Sequence, residues 1–216
     1  PKKEFFTFTT ERGNKLNAYI IKPLDFDPEK KYPVLLTQYS GPGSQSVADS
    51  FGMGWENVLV GNGYIVACCD GRGTGFMGED FKKQTYGNLG ALEVEDQISF
   101  AKYLGSQSYI DKDRIGIYGW SYGGFMALGC ALKGDGLFKM SIAVAPVTSW
   151  RYYDTIYTEI YNDLPQDNPK GYDDNSPINF ANRLSDRTKL LIMHGTADDN
   201  VHVQNTMEMC HALNRA

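Results

Sequence analysis

Apolar residues in this chain fall into short runs separated by turns rich in glycine and aspartate, and stretches with helical rhythm lie between many of those runs. Phe5 to Thr9, a turn at Arg12-Gly13-Asn14, and Leu16 to Ile21 together predict a β-hairpin. Continuous apolar runs follow at Pro33 to Gln38 and Tyr64 to Cys69, the pattern of strands buried on both faces. A helix is expected between them, near Trp55 to Val60. Leu92, Asp96 or Gln97, Phe100 and Leu104 repeat with helical period and predict a long helix from about Gly90 to Leu104. Arg114 to Tyr118 predicts a strand and Phe125 to Leu132 the helix after it. Further strands are expected at Met140 to Ala145 and Lys189 to Met193, with a terminal helix from about Val203. Trp150, Tyr153, Tyr157 and Tyr161 also recur at helical spacing, and spacing alone reads them as a core stripe.

Strands alternating with helices predict one α/β domain over residues 1–216, with a mostly parallel, doubly wound sheet covered by helices. In such sheets reactive groups gather at the carboxyl ends of the strands. The conspicuous motifs fall there: Tyr39, Asp70, Ser121, Pro146 and the loop after Met193. No internal repeat or low-complexity linker divides the chain.

Composition narrows the function classes. At 216 residues, 42% hydrophobic and 22% charged, the chain has the make-up of one soluble domain. A net charge of −5 without a Lys/Arg cluster argues against nucleic acid as a partner. No apolar run approaches the roughly 20 residues of a membrane span. The four cysteines have no paired spacing, so neither a disulfide framework nor a zinc site is expected, and Cys68 and Cys69 read as small buried hydrophobes. No metal or cofactor is implied. The start at Pro1 suggests a processed or excised piece.

The sharpest chemical signal is Gly119-Trp120-Ser121-Tyr122-Gly123-Gly124. A strand, a G-x-S-x-G turn and a helix in that order make a nucleophile elbow, in which glycines let strand and helix approach and leave the serine Oγ exposed. The helix that starts there aims free N–H groups at any oxyanion formed on the serine. A serine needs a base, and the base needs an orienting acid; in this architecture they follow in the order serine, acid, histidine. After the Lys189–Met193 strand, His194 to His202 offers Asp198 as the acid at the loop tip, with Asp199 as a neighbour able to brace the turn. The histidine is the difficult member. His194 closes a buried strand, His202 lies four residues from Asp198, and His211 sits mid-helix, so the expectation is that the chain ends before the base arrives.

G-W-S-Y-G-G, Tyr39–Gln45, Asp70–Gly75, Glu93–Gln97 and His194–His202 occur in register, and together they resemble the prolyl oligopeptidase family of serine peptidases, in its dipeptidyl peptidase IV branch. The resemblance spans nearly the whole chain. It implies an α/β-hydrolase fold lacking its last strand and the loop that carries the catalytic histidine, and an amino-terminal β-propeller absent from this sequence. It implies Ser121 as nucleophile, Asp198 as triad acid, and the Tyr122 N–H with the Tyr39 hydroxyl as oxyanion hole. Val147, Trp150, Tyr153, Tyr157 and Val201 become the walls of a pocket for proline or alanine, and Asn200 a hydrogen-bond donor to the substrate carbonyl. Asp70 to Gly73 reads as a strand-end brace. The implied activity is release of amino-terminal Xaa-Pro or Xaa-Ala dipeptides through an acyl-enzyme, with this fragment inactive by itself. The implied setting is periplasmic, extracellular or membrane-anchored, and the full-length protein a homodimer. The other readings are an esterase or related acyl hydrolase on the same fold, which the Tyr39 loop and aromatic stripe argue against, and a peptide-binding module without catalysis.

Overall fold

Side-chain alternation sorts the apolar residues into two layers. In the computed structural model, which describes residues 2–216, β2 (Lys15–Ile21) turns Leu16, Ala18 and Ile20 to one face and Tyr19 and Ile21 to the other. Pro1, with the inference drawn from it, lies outside the described residues. β4 (Ile65–Asp70) does the same with Ile65, Ala67 and Cys69 against Val66 and Cys68. With β1 (Lys3–Thr9), β3 (Tyr32–Thr37), β5 (Ile110–Trp120), β6 (Met140–Val144) and β7 (Lys189–Met193), these strands make one seven-stranded sheet of order β1-β2-β4-β3-β5-β6-β7. The β1–β2 hairpin and the β2–β4 pair are antiparallel, and every pair from β4 to β7 is parallel. The mostly parallel expectation holds, and the predicted strands and long helices appear within a few residues of their expected limits.

β4 is followed by the short α2 (Glu79–Lys83), and one face is closed by α3 (Ala91–Gly105) and α4 (Tyr122–Lys133), which pack on β5 and β6. Every residue of α4 from Tyr122 to Leu132 is buried, so this apolar helix is enclosed by the sheet, α3 and the chain that crosses over it. That crossing chain runs from β6 to β7 through a 3₁₀ turn at Trp150–Tyr152, α5 (Thr155–Asn162), α6 (Pro169–Asp173) and a kinked 3₁₀ segment at Pro177–Arg183, on which α7 (Gln204–Arg215) rests. On the opposite face α1 (Glu56–Gly61) and the loop at Val47 cover β2 and β4. Beyond them the second face is open, because the crossovers after β5 and β6 both lie on the first. Trp120, Leu191 and Met193 there are 61%, 49% and 50% exposed.

The motif residues at Asp70 to Gly75 and Glu93 to Gln97 are one brace. Asp70 accepts the Ser46 and Val47 backbone N–H groups, tying down the glycine-rich loop after β3. Arg72 donates from Nη2 to Asp96 Oδ1 at 2.7 Å and from Nε to both carboxylate oxygens, with side chains 7% and 0% exposed. Gln97 donates to the Cys69 carbonyl at 2.8 Å. α3 is thereby fastened to the carboxyl end of β4. Removing one partner of a buried pair strands the other's charge without compensation. Asp96→Ala is expected to cost about 3–5 kcal/mol in urea unfolding; a loss no larger than that of a surface substitution would show the pair to be dispensable.

Candidate active site

The turn between β5 and α4 has the backbone that a serine elbow requires. Ser121 sits at φ 58°, ψ −115°, outside the regions that L residues favour, with its N–H donated to Val144 O at 2.9 Å and its carbonyl accepting the Phe125 N–H at 3.0 Å. Two glycines allow this. A Cβ on Gly119 would collide with the Gly123 carbonyl, and one on Gly123 would meet the Gln38 carbonyl at 2.5 Å. Ser121 is half-buried, and among the described residues its hydroxyl has no hydrogen-bond partner.

The loop after β3 is clamped directly onto this turn. Gln38 Nε2 donates to the Gly123 carbonyl at 2.9 Å, and the Ser40 hydroxyl donates to Gln38 Oε1 at 2.8 Å. Between them stands Tyr39, 38% exposed, its ring 6.0 Å from that of Tyr122. Burial pushes the Tyr39 phenol above its ordinary pKa, so it stays protonated and able to donate at neutral pH. Ser40, Ser121 and Ala145, at the carboxyl ends of β3, β5 and β6, all have positive φ, at 69°, 58° and 44°. Strained backbone therefore gathers where the three strands end.

Tyr122, first residue of α4, is held by Glu93, which the sequence places in the Glu93–Gln97 motif without a role. Its phenol donates to Glu93 Oε1 at 2.6 Å, and Glu93 Oε2 accepts the Gly90 N–H at 2.9 Å. Glu93 is fully buried, and burial pushes its carboxyl up to about 7 against the pull of these hydrogen bonds. Gln38, at the end of a predicted strand, and Ser40, inside the Tyr39–Gln45 motif, likewise have no role that the sequence alone assigns. The available signal was the placing of Asp96 or Gln97 on the apolar stripe of α3, which marks buried polar contacts near that helix.

The loop after β7 brings Asp198 to the same end of the sheet. Its Oδ1 accepts the N–H groups of Asn200 and Val201, both at 3.0 Å, so one oxygen shapes the turn. Its Oδ2 lies 3.4 Å from His194 Nε2. The His194 ring is 1% exposed and engaged at both nitrogens, with Thr206 Oγ1 at Nδ1 and the Val201 carbonyl at Nε2, each at 2.6 Å. A carbonyl only accepts, so Nε2 carries the proton. His202 and His211 are exposed, and no histidine ring among the described residues hydrogen-bonds Ser121.

The aromatic series is not one helix. Trp150 lies in the 3₁₀ turn, Tyr153 caps it in an extended conformation, and Asp154 starts α5 by accepting the Tyr157 N–H at 2.7 Å. The rings nevertheless form a chain of contacts. Tyr122 and Trp150 are 5.6 Å apart, Trp150 and Tyr157 stack at 6.4 Å, and Tyr153 meets Tyr157 edge-on at 5.4 Å. Val147, Trp150 and Val201 are buried in the core, whereas Tyr153 and Tyr157 are half-buried. Tyr153 donates its hydroxyl to Asn200 Oδ1 at 2.7 Å, on the wall of a hollow of about 650 Å³ that Asp154, Asp199 and His202 also line. Among the described residues no group of three or more His, Cys, Asp or Glu could hold a metal ion, and no helix is long and apolar enough to cross a membrane.

Residues 51–216 match the model of the prolyl oligopeptidase family. The chain is 51% identical over 207 residues to a probable dipeptidyl-aminopeptidase B of Pyrenophora teres f. teres, covering 94% of this chain and 23% of that protein. A probable dipeptidyl-aminopeptidase B of Trichophyton verrucosum is 48% identical over 215 residues, 99% of this chain and 24% of the relative. The crystal structure of Porphyromonas gingivalis dipeptidyl peptidase 4 superposes with a TM-score of 0.96 at 50% identity, over 99% of this chain and 30% of that one. The chain thus spans 23–24% of the length of these curated relatives. The fold is that of an α/β-hydrolase.

The raised Glu93 carboxyl makes stability depend on pH. Its pKa is near 7 folded against an ordinary 4.5, so the folded state holds the proton more tightly. The stabilisation this gives is complete below pH 4.5 and is lost as pH rises to about 7. Measured by urea unfolding, the stability of the wild type relative to Glu93→Gln should fall by about 1.4 kcal/mol per pH unit across that window. A difference independent of pH would contradict the assignment.

Proposed function

The chain belongs to the prolyl oligopeptidase family, and from that membership we propose that it carries the nucleophile, acid and oxyanion donors of a serine exopeptidase. Its substrates are peptides with proline or alanine before the cleaved bond, released as amino-terminal dipeptides. The observation that carries this reading is the strained Ser121 elbow with the Tyr39 loop locked against it.

Ser121 Oγ attacks the substrate carbonyl as an imidazole takes its proton. The charge that develops on the carbonyl oxygen meets the Tyr122 N–H and the Tyr39 hydroxyl. Collapse expels the amine, which receives the proton from the imidazole, and leaves the acyl group on Ser121 Oγ. Water, deprotonated by the same imidazole, then releases the dipeptide. Asp198 Oδ2 orients the imidazole while Oδ1 keeps the loop in shape. His194 does not serve as this base, because its ring is buried and both nitrogens are occupied. We place the base on an imidazole other than His194, His202 and His211.

Tyr153, Tyr157 and the buried Trp150 give the pocket flat walls that suit a pyrrolidine ring, with Val147 and Val201 behind them. Asn200, already held by Tyr153, presents its amide to the carbonyl of the substrate's first residue.

With the full-length gene product and Gly-Pro anilide as substrate, Ser121→Ala and Asp198→Asn are each expected to lower kcat at least about 10³-fold, since triad members act as a unit. Residues 1–216 alone should show no comparable turnover. Equal activity of Ser121→Ala, or hydrolysis of simple esters without hydrolysis of the anilide, would overturn the peptidase reading.

Tyr39→Phe should lower kcat by roughly 30- to 1000-fold with little change in KM, because its hydroxyl acts only as charge develops. An unchanged kcat would reduce Tyr39 to packing. Tyr157→Ala should lower the ratio of kcat/KM for Gly-Pro over Gly-Leu anilide, as loss of a flat wall relaxes the fit. An unchanged ratio would remove Tyr157 from the specificity pocket.

A further inference from the structure

We infer that Glu93 is a positioning residue for the oxyanion hole: through the Tyr122 phenol it fixes the backbone N–H that meets the developing charge. The inference rests on the serine-peptidase reading and extends it to a residue on a different helix, 29 positions away.

The elbow needs such an anchor. Ser121 holds a strained backbone conformation, and Gly123 and Gly124 follow directly after Tyr122. The Ser121–Tyr122 peptide plane is tied through the Ser121 carbonyl to the Phe125 N–H, and the Gly123–Gly124 plane through the Gly123 carbonyl to Gln38, but the first turn of α4 adds little side-chain mass to these backbone ties. The remaining side chains from Phe125 to Leu132 are apolar, and the helix's other polar ties lie further along it, at the Ala127 carbonyl, which accepts the Ser141 hydroxyl, and at Lys133, which donates to Asn175. Tyr122 supplies the one polar side chain in that first turn after the serine, and it commits its hydroxyl to Glu93 at 2.6 Å. Its ring is 2% exposed and wedged among Phe125, Trp150 and Tyr39, at centroid distances of 5.2, 5.6 and 6.0 Å. Fixing this ring at its far end therefore fixes three things at once: the donor peptide, the Tyr39 face and the Trp150 wall.

Glu93 is placed for this and not only for capping. Its Oε2 already closes the start of α3 by accepting the Gly90 N–H, and capping asks for no more than that. Its Oε1 reaches across to α4. A fully buried carboxyl is costly, and one whose two oxygens bind two different helices is justified as a link between them. The Tyr122 hydroxyl, turned to Glu93, is correspondingly withdrawn from the substrate, which leaves Tyr39 as the phenol that faces the reaction.

The test compares Tyr122→Phe, Glu93→Gln and the double variant in the full-length gene product with Gly-Pro anilide. Tyr122→Phe keeps the ring, the backbone N–H and the Glu93–Gly90 bond, so a role confined to folding or to capping α3 leaves kcat unchanged. Positioning predicts that Tyr122→Phe lowers kcat by about tenfold with KM within twofold, in keeping with the sensitivity of reacting geometry to small displacements. The effects in the double variant should be less than additive, since Glu93→Gln leaves one acceptor oxygen for two donors and so weakens the link that Tyr122→Phe removes. Affinity for a proline boronic acid, which forms a tetrahedral adduct on serine, should fall in parallel with kcat, while affinity for a product dipeptide stays constant. If Glu93→Gln does not fold, Tyr122→Phe and its boronate affinity decide. A wild type that turns over the anilide, with Tyr122→Phe within twofold in kcat and in boronate affinity, overturns the positioning role alone. A wild type without turnover overturns the peptidase reading and this inference with it.

Discussion

The backbone of Ser121 is the constraint around which the rest of the structure is arranged. An L residue at φ 58°, ψ −115° costs of the order of 1–3 kcal/mol, and it persists only where its surroundings over-determine it. Here they do. The Ser121 N–H is held by β6, the Gly123 carbonyl by Gln38 from the end of β3, and the Tyr122 phenol by Glu93 from α3. β6, the end of β3 and α3 thus each contribute one hydrogen bond to it. Positive φ recurs at Ser40 and Ala145, so the chain turns through the left-handed side of backbone space at the ends of β3, β5 and β6 alike.

Most polar groups that this arrangement buries are satisfied by one another, Gln97 Oε1 and Trp150 Nε1 being the exceptions beside the elbow and brace, and the pattern has a direction. The Asp70, Arg72 and Asp96 contacts lock α3 and the β3 loop to β4; Gln38 and Glu93 then lock both to the elbow. Apolar packing supplies the bulk of the folding energy and is not particular about angles, whereas these hydrogen bonds are. Sheet and α4 bring Tyr39, Ser121 and Asp198 to one end of the molecule. The buried carboxylates and amides then set their orientation.

Much of the architecture was legible because it depends on local patterns. Apolar runs at β3 and β4 marked the parallel sheet, and strand, G-x-S-x-G and helix marked Ser121 without any long-range information. The short helices at Glu79–Lys83 and Pro169–Asp173 carry too few residues for a period to show. The aromatic series had helical spacing but not helical continuity, since Asp154 caps a new helix in the middle of it. Asp96 and Gln97 betrayed themselves as polar residues on an apolar face. Glu93, off that stripe, and Gln38, at a strand end, carried no such local mark, and only the folded chain brings them to Tyr122 and Gly123. Asp198 was legible as a loop-tip acid, but the division of labour between its two oxygens is a matter of geometry alone.

The central claim is that Ser121 is held ready as a nucleophile, and chemical labelling tests it most directly. The full-length gene product would be treated with a fluorophosphonate, which phosphonylates an activated serine with loss of fluoride, and the adduct mapped by peptide mass spectrometry. The account predicts one adduct, on Ser121, absent from Ser121→Ala and formed much more slowly in Asp198→Asn. No adduct, or an adduct on another serine that survives Ser121→Ala, would contradict it.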